Sequence, residues 1–227
     1  MDAPHYIALE SLRAAPVTYA WNDYDPYEVI PAAPAGLEDI LQKAHFNAQL
    51  GFAIACAEWV VYRLSALTSR TDYLDHVEAK WAERVAYRLV THATAVDTSV
   101  DDAVGGMIQL ALVTVDNIQM NDGDDQQAQQ AAFGAAVARH AQPDPAAFDA
   151  WALPVAKRVA DLYPREGGKD ESPLIVREAF DPAVDAAGKE EKLAEAFYAS
   201  LEGTESPFIR KLDRWVPYAD MRASAND

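Results

Sequence analysis

The sequence predicts an all-α protein, a single domain (1–227) in which about seven to eight helices form an irregular bundle around a buried central helix. Alanine, the best intrinsic helix former, is the commonest residue, and glycine occurs only 10 times in 227 residues. The 13 prolines mostly separate helical stretches instead of clustering into a linker. Half of the residues are apolar, which is enough for one sizeable core at this length.

The first elements along the chain are a helix over 4–14 and a non-helical segment over 16–35, which we call the strap. The strap contains four prolines and several aromatic residues. Its Asn-Asp and Asp-Pro steps, like its prolines, disfavour a helix. We therefore expect the strap to run extended across the helical body and to be held there by its aromatic rings.

The central helix is predicted over 37–67, directly after Gly36. Apolar residues follow the i, i+4, i+7 spacing of one buried helix face at Leu37, Leu41, Ala44, Ala48, Phe52, Ala55 and Trp59. Between Leu50 and Tyr62 the segment is apolar on all sides except at Glu58. A helix without a polar face belongs in the middle of a soluble fold, so this helix is expected to be the core element.

The later elements follow from amphipathic spacing and from the positions of proline and glycine. They are helices over 73–91, 125–140, 145–163 and 182–201, a loop at 165–173, shorter elements at 174–180 and 207–215, and a tail at 219–227 that is expected to fray. The apolar run Val104–Val115 fits a buried strand as well as a helix, but its helical neighbours favour a helix. Gly105–Gly106 within that run indicates a close helix–helix contact or a local break.

The charge balance excludes several classes of protein. The chain has 19 basic and 36 acidic residues and a net charge of −17. A protein that binds nucleic acid or an anionic membrane needs a basic face, so neither partner is expected. The single cysteine, Cys56, cannot form an intramolecular disulfide, and the first residues do not have the pattern of a signal peptide. We expect a cytoplasmic, bacterial protein without a membrane-spanning segment.

No metal or cofactor site is predicted. The five histidines are scattered, with none three or four residues from another, at His5, His45, His76, His92 and His140. Neither the His-Glu-x-x-His motif nor paired Glu-x-x-His motifs occur. The acids around His76 are interpreted as a solvated helix start, and the acidic turn at 121–125 lacks the spacing of a calcium loop.

No catalytic nucleophile is predicted either. Cys56 lies on an apolar helix face, where burial raises the pKa of a thiol and makes it inert. The sequence contains no Gly-x-Ser-x-Gly elbow, and Gly105–Gly106 does not fit a phosphate-binding loop. No residue is therefore assigned a catalytic role, and an enzyme is not the favoured class.

Glu58 is the most informative single residue. A carboxylate in an apolar helix must be paired or neutral, because an isolated buried charge is very costly. Arg63 shares its helix face poorly, so Arg84 or Arg88 in the next helix is expected to be the partner. The alternative is a functional acid with a raised pKa in a cleft.

Acidic residues are also concentrated in 93–125, which contains seven acids and no Lys or Arg. Helix capping and solvation explain these acids, and a docking patch for a basic protein is the functional alternative. The strap combines acids with aromatic rings, a mixture suited to recognition. The candidate partner-binding residues are Tyr19, Trp21, Asp23, Tyr24, Asp25, Tyr27, Asp97, Asp101, Asp102, Asp122, Asp124 and Asp125.

These features favour a non-catalytic protein that binds a partner with a basic surface. An acidic immunity or inhibitor protein would fit, as would a subunit of a larger bacterial assembly. The alternative is an enzyme or small-ligand binder with a pocket between helices around Glu58. A mimic of nucleic acid is disfavoured, because it needs acids spaced regularly along one face and these acids gather near helix ends.

Overall fold

The computed structural model describes residues 4–7, 15–70, 72–91, 102–120, 126–165, 173–212 and 214–223. Within these ranges the chain is helical and has no strand, which confirms the all-α prediction. The α-helices are α1 (Leu37–Leu41), α2 (Phe46–Leu64), α3 (Asp72–Ala86), α4 (Ala103–Met120), α5 (Gln127–Ala141), α6 (Ala146–Leu162), α7 (Glu190–Ser200) and α8 (Tyr218–Ala223). Short 3-10 helices lie at Pro26–Val29, Ser65–Leu67, Tyr87–Leu89 and Arg177–Phe180.

Helix α2 is the buried central helix that the sequence predicts. Every residue from Ala48 to Leu64 is buried, and the helix packs against α3, α4, α5 and α6. The segment Phe46–Leu67 is long and apolar enough to cross a bilayer, but 83% of its most apolar window is buried inside the protein. Its apolar surface is therefore covered by the neighbouring helices.

The prediction of one continuous helix over 37–67 is wrong, because the helix breaks between α1 and α2. His45 starts a new helix: its Nδ1 accepts a hydrogen bond from the backbone N–H of Asn47, 3.1 Å away. The backbone around the break pairs with the end of α6. The His45 N–H donates to the Tyr163 carbonyl at 2.7 Å, and the Arg165 N–H donates to the Lys43 carbonyl at 2.8 Å. These long-range bonds replace the helical bonds that the periodicity predicts.

Helix α4 resolves the ambiguity of the run at 104–115 in favour of a helix, as expected. It packs along both α2 and α5. At Gly106 the close contact is made with the strap and not with another helix, and α4 runs through the glycine pair without a break. A Cβ atom built on Gly106 would lie 2.1 Å from Cζ2 of Trp21, so the strap lies on α4 where only a hydrogen atom fits.

The C-terminal region differs from its prediction. The expected helix at 207–215 is wrong, because Ile209 instead forms an antiparallel bridge with Val90. The Thr91 N–H donates to the Phe208 carbonyl at 2.9 Å, and the Arg210 N–H donates to the Leu89 carbonyl at 2.7 Å. The Phe208 carbonyl and the Arg210 N–H, which a helix would pair within the segment, are therefore hydrogen-bonded to a sequence-distant segment.

The expected fraying of the tail is wrong for 219–223, which belongs to α8. Tyr218 and Met221 are buried, and the Tyr218 ring packs 5.5 Å from that of Tyr198 in α7. Residues 224–227 lie outside the described residues, as do 8–14 of the expected first helix, the acidic turn at 121–125 and 166–172 of the expected loop.

The helix expected over 182–201 begins only at Glu190. Before it, the guanidinium group of Arg158 in α6 donates to the carbonyls of Asp181, at 2.6 Å, and Val184. The Asp181 carboxylate also accepts a hydrogen bond from the Ala183 N–H at 2.9 Å. This segment is therefore fixed to α6 in a non-helical conformation.

Candidate functional site

The strap lies across α4 and α5, as its aromatic rings predict. The Tyr27 ring stacks on Phe133 of α5 at 5.5 Å, and the Tyr19 hydroxyl donates to the Ala103 carbonyl at 3.0 Å. The buried Arg63 of α2 holds the start of the strap by donating to the Pro16 carbonyl at 3.1 Å. The half-buried rings of Tyr19 and Trp21 are thus used mainly for packing.

The turn Asn22–Glu28, which we call the strap tip, is tightly hydrogen-bonded. The Asn22 side chain accepts from the Tyr24 and Asp25 N–H groups at 3.0 and 3.3 Å, and it donates to Glu28 at 2.9 Å. The Trp21 indole donates to the Asp23 carboxylate at 2.7 Å. On this ordered turn the Tyr24 side chain is 100% exposed. The predicted residues Asp23, Tyr24, Asp25 and Tyr27 therefore lie together on one exposed surface.

Of the predicted acidic clusters, only Asp102 is described. Its carboxylate accepts a hydrogen bond from the Gly105 N–H at 2.7 Å and so caps the first turn of α4. This position supports the helix-cap interpretation for Asp102, and the nearby Tyr19–Ala103 contact brings it close to the strap. The other predicted acids, Asp97, Asp101, Asp122, Asp124 and Asp125, lie outside the described residues.

The expected partners of Glu58, Arg84 or Arg88, are wrong. Glu58 is 0% exposed, and its Oε1 lies 2.5 Å from Nη2 of Arg177, which the 3-10 helix Arg177–Phe180 places against α2. Arg177 also lies 3.4 Å from the Glu78 carboxylate of α3. We call Glu58, Glu78 and Arg177 the buried ion cluster. The sequence does not reveal this cluster, because Arg177 is distant from Glu58 along the chain. Arg88, one of the two expected partners, is exposed.

Two tyrosines complete the surroundings of the buried ion cluster. The Tyr6 hydroxyl donates to Oε2 of Glu58, and the Tyr62 hydroxyl lies 3.3 Å from Arg177 Nη2. Burial raises the pKa of Glu58 above its usual range, although Arg177 opposes this effect. Burial likewise raises the pKa of Glu78, which the nearby Glu58 charge raises further. Two carboxylates share one guanidinium, so the cluster favours retention of a proton.

A cavity of about 220 Å³ lies next to this cluster. Its walls include Tyr6 and Arg177, the two groups that contact Glu58, together with His5, Glu178 and Asp181. Glu58 itself does not line the cavity, so a molecule bound there would meet its charge only through Tyr6 and Arg177. The cavity beside Glu58 that the ligand-binding hypothesis requires is thus present, but Tyr6 and Arg177 separate Glu58 from it.

A larger groove of about 510 Å³ lies between α3 and α4 and was not predicted. We call it the His76 groove. His76 is only 6% exposed, and of the nearby acids interpreted as a solvated helix start, Glu78 is buried, so that interpretation is wrong for Glu78. His76, Lys80 and Glu83 follow i, i+4, i+7 spacing on α3, and Asp116 and Gln119 follow i, i+3 spacing on α4. This spacing was visible in the sequence, but the pairing of the two helices was not.

Among the described residues, no group of three or more His, Cys, Asp or Glu side chains is arranged to hold a metal ion. Comparison with protein-family models, curated proteins and solved structures finds no match to this chain. The function of this chain is therefore inferred from its own geometry.

Proposed function

We propose that this chain is a non-catalytic, cytoplasmic protein that binds a partner protein with a basic surface. An acidic immunity or inhibitor protein that neutralises a basic toxin fits this description, and so does a subunit of a bacterial assembly. The observation that carries the proposal is the strap tip, where a fully exposed Tyr24 stands on an ordered turn among carboxylates.

An exposed tyrosine on an ordered turn is suited to anchoring an interface. Tyrosine is enriched among the residues that contribute most binding energy, and a side chain held by an ordered turn loses little entropy on binding. The hydrogen bonds of Asn22 and Asp25 order the backbone beneath Tyr24. Nothing in the described structure covers the Tyr24 ring itself.

The charge of the chain supports a basic partner. Asp23, Asp25 and Glu28 are all exposed around Tyr24. With a net charge of −17, the protein attracts positively charged surfaces over distances of about 10 Å at moderate salt. Such attraction mainly accelerates association and falls as the salt concentration rises.

The test is a comparison of captured proteins between matched variants. Wild type, the strap-tip variant Tyr24→Ala/Asp23→Asn/Asp25→Asn, and a charge-matched control, Glu195→Gln/Glu202→Gln, are immobilised and exposed to an extract of the native host. We expect a basic protein to bind wild type and the control at low salt, to bind the strap-tip variant at least about tenfold less, and to elute at high salt. Recovery of no basic partner, or equal capture by all three baits, would contradict the proposal.

A second candidate function is the binding of a small polar ligand in the cavity beside the buried ion cluster. The observation that favours it is that Tyr6 and Arg177 both line this cavity and contact Glu58. A thermal-shift screen of small polar metabolites on wild type and on Val184→Trp, which fills the cavity, tests this candidate. A ligand that stabilises only wild type supports this candidate function. The candidate is contradicted if every ligand found stabilises both proteins, or if no ligand stabilises either of them.

A further inference from the structure

The His76 groove has a volume of about 510 Å³ and lies apart from the strap and the buried ion cluster. Its apolar lining consists of Ala79, Val90, Met120 and Phe208. The antiparallel pairing of Val90 with Ile209 fixes the position of Phe208. The volume and the mixed lining are those of a typical small-molecule site.

His76 is a buried polar group that lines this groove. The residue is 6% exposed, and neither ring nitrogen has a hydrogen-bond partner within the described structure. Its Nε2 lies 3.9 Å from the Asp116 carboxylate, too far for a hydrogen bond, and its ring packs edge-on against Phe208 at 5.0 Å. A buried polar group that lacks a partner is costly, so a ligand that hydrogen-bonds to His76 would remove a penalty.

The other polar residues of the groove form a continuous chain of contacts. Lys80 Nζ lies 2.5 Å from Asp116 and donates to the Gln119 side-chain carbonyl at 3.0 Å. The Gln119 amide then donates to Oε1 of Glu83. Lys80 is thus already neutralised by Asp116, and Glu83 contributes a carboxylate with no cation of its own in the groove lining.

The charge of Asp116 is well supported. Burial alone would raise the pKa of its carboxyl, but His76 and Lys80 outweigh burial and lower the pKa below the usual range. Two carboxylates, those of Asp116 and Glu83, thus line the groove with one ammonium group, that of Lys80. An anionic ligand would meet this excess negative charge, whereas a cation would compensate it.

We propose that the His76 groove binds a small molecule with a protonated amine at one end, a hydrogen-bonding group such as a hydroxyl at the other, and an apolar body between them. The amine lies against the carboxylate of Glu83, whose Oε1 also accepts a hydrogen bond from the Gln119 amide. The hydroxyl bonds to His76, and the apolar body packs on Val90, Met120 and Phe208. His76 and Glu83 are seven positions apart on α3, which sets a ligand length of about 10 Å.

Tyramine has this shape and serves as the probe, with 4-ethylphenol lacking the amine and 2-phenylethylamine lacking the hydroxyl. Binding is followed by calorimetry and by the NMR signals of the His76 ring. We expect tyramine to saturate the wild-type protein at about 10 mM, and we expect each truncated probe to bind about tenfold more weakly.

Two variants assign the contacts. Glu83→Gln should bind tyramine and 4-ethylphenol equally, because the ion pair to the amine is lost. His76→Phe should bind tyramine and 2-phenylethylamine equally, because the bond to the hydroxyl is lost. Glu195→Gln, an exposed site on α7, is the charge-matched control and should bind as wild type does. Absence of tyramine binding at this concentration, or unchanged discrimination in both groove variants, overturns the proposal.

Discussion

Replacement of Arg177 by methionine tests the buried ion cluster directly. Methionine keeps much of the length and volume of the side chain but removes the guanidinium group that lies 2.5 Å from Glu58 and 3.4 Å from Glu78. Glu58 is 0% exposed and the Glu78 side chain 10% exposed, so neither carboxylate can turn to water without a change in packing. Both would remain buried without a cation.

The size of the effect follows from that burial. Removal of one partner of a buried ion pair costs ~3–5 kcal/mol, because a charge is left without compensation. For a domain of this length, 1 kcal/mol corresponds to about 2–4 °C in the melting temperature, so we expect a loss of ~6–20 °C near neutral pH. The loss should be smaller at acidic pH, where both carboxylates take up protons and no longer need a counter-charge.

The assay is thermal and urea unfolding followed by circular dichroism, with Arg88→Met as the matched control. Arg88 is exposed, so its replacement should change the free energy of unfolding by no more than about 0.5 kcal/mol. The triple variant Arg177→Met/Glu58→Gln/Glu78→Gln should recover much of the loss, because no unpaired charge remains. If Arg177→Met is as stable as Arg88→Met at neutral pH, the argument for the buried ion cluster is refuted.

Three further predictions concern packing, pH and reactivity. Gly106→Ala should lower the free energy of unfolding by about 1–3 kcal/mol and detach Trp21 from α4, which a red shift in tryptophan fluorescence would report. Gly134→Ala should instead stabilise the protein by about 0.5–1 kcal/mol, because the added Cβ would lie 3.6 Å from its nearest neighbour. Because burial raises the pKa of both carboxyls of the buried ion cluster above 4.5, the folded state retains protons that the unfolded chain releases. Stability to urea should therefore fall as the pH rises above 4.5, and Glu78→Gln should flatten this fall; a rise in stability with pH that the variant leaves unchanged would contradict this account. Burial also raises the pKa of the Cys56 thiol, so a thiol reagent should modify Cys56 only after unfolding; rapid modification of the native protein would show that the thiol is accessible.

The fold could largely be predicted from the sequence, because apolar periodicity reports directly on which helix faces are buried. The central position of α2, the helical state of α4 and the extended strap all follow from such local patterns. The errors arise where long-range backbone bonds override local preference. The break at His45 depends on pairing with Tyr163, and the non-helical segment around Ile209 depends on pairing with Val90.

The candidate site was less predictable for the same reason. The cost of a buried charge correctly predicts that Glu58 needs a cation, but it does not say which part of the chain supplies one. Arg177 became the partner through packing of its 3-10 helix on α2, and His76 became a groove residue through packing of α3 beside α4. Both are tertiary contacts between sequence-distant segments, which periodicity within one segment does not contain.

The Glu58–Arg177 pair also has a consequence for the order of events on the ribosome. Helix α2 leaves the exit tunnel long before Arg177 is synthesised, since the two residues are separated by helices α3 to α6. Until then the core cannot close around an ionised Glu58, so the nascent chain should keep its most apolar helix open or hold Glu58 protonated. Folding is then completed by a late, long-range contact, and α2 is not fully covered until the second half of the protein has been synthesised.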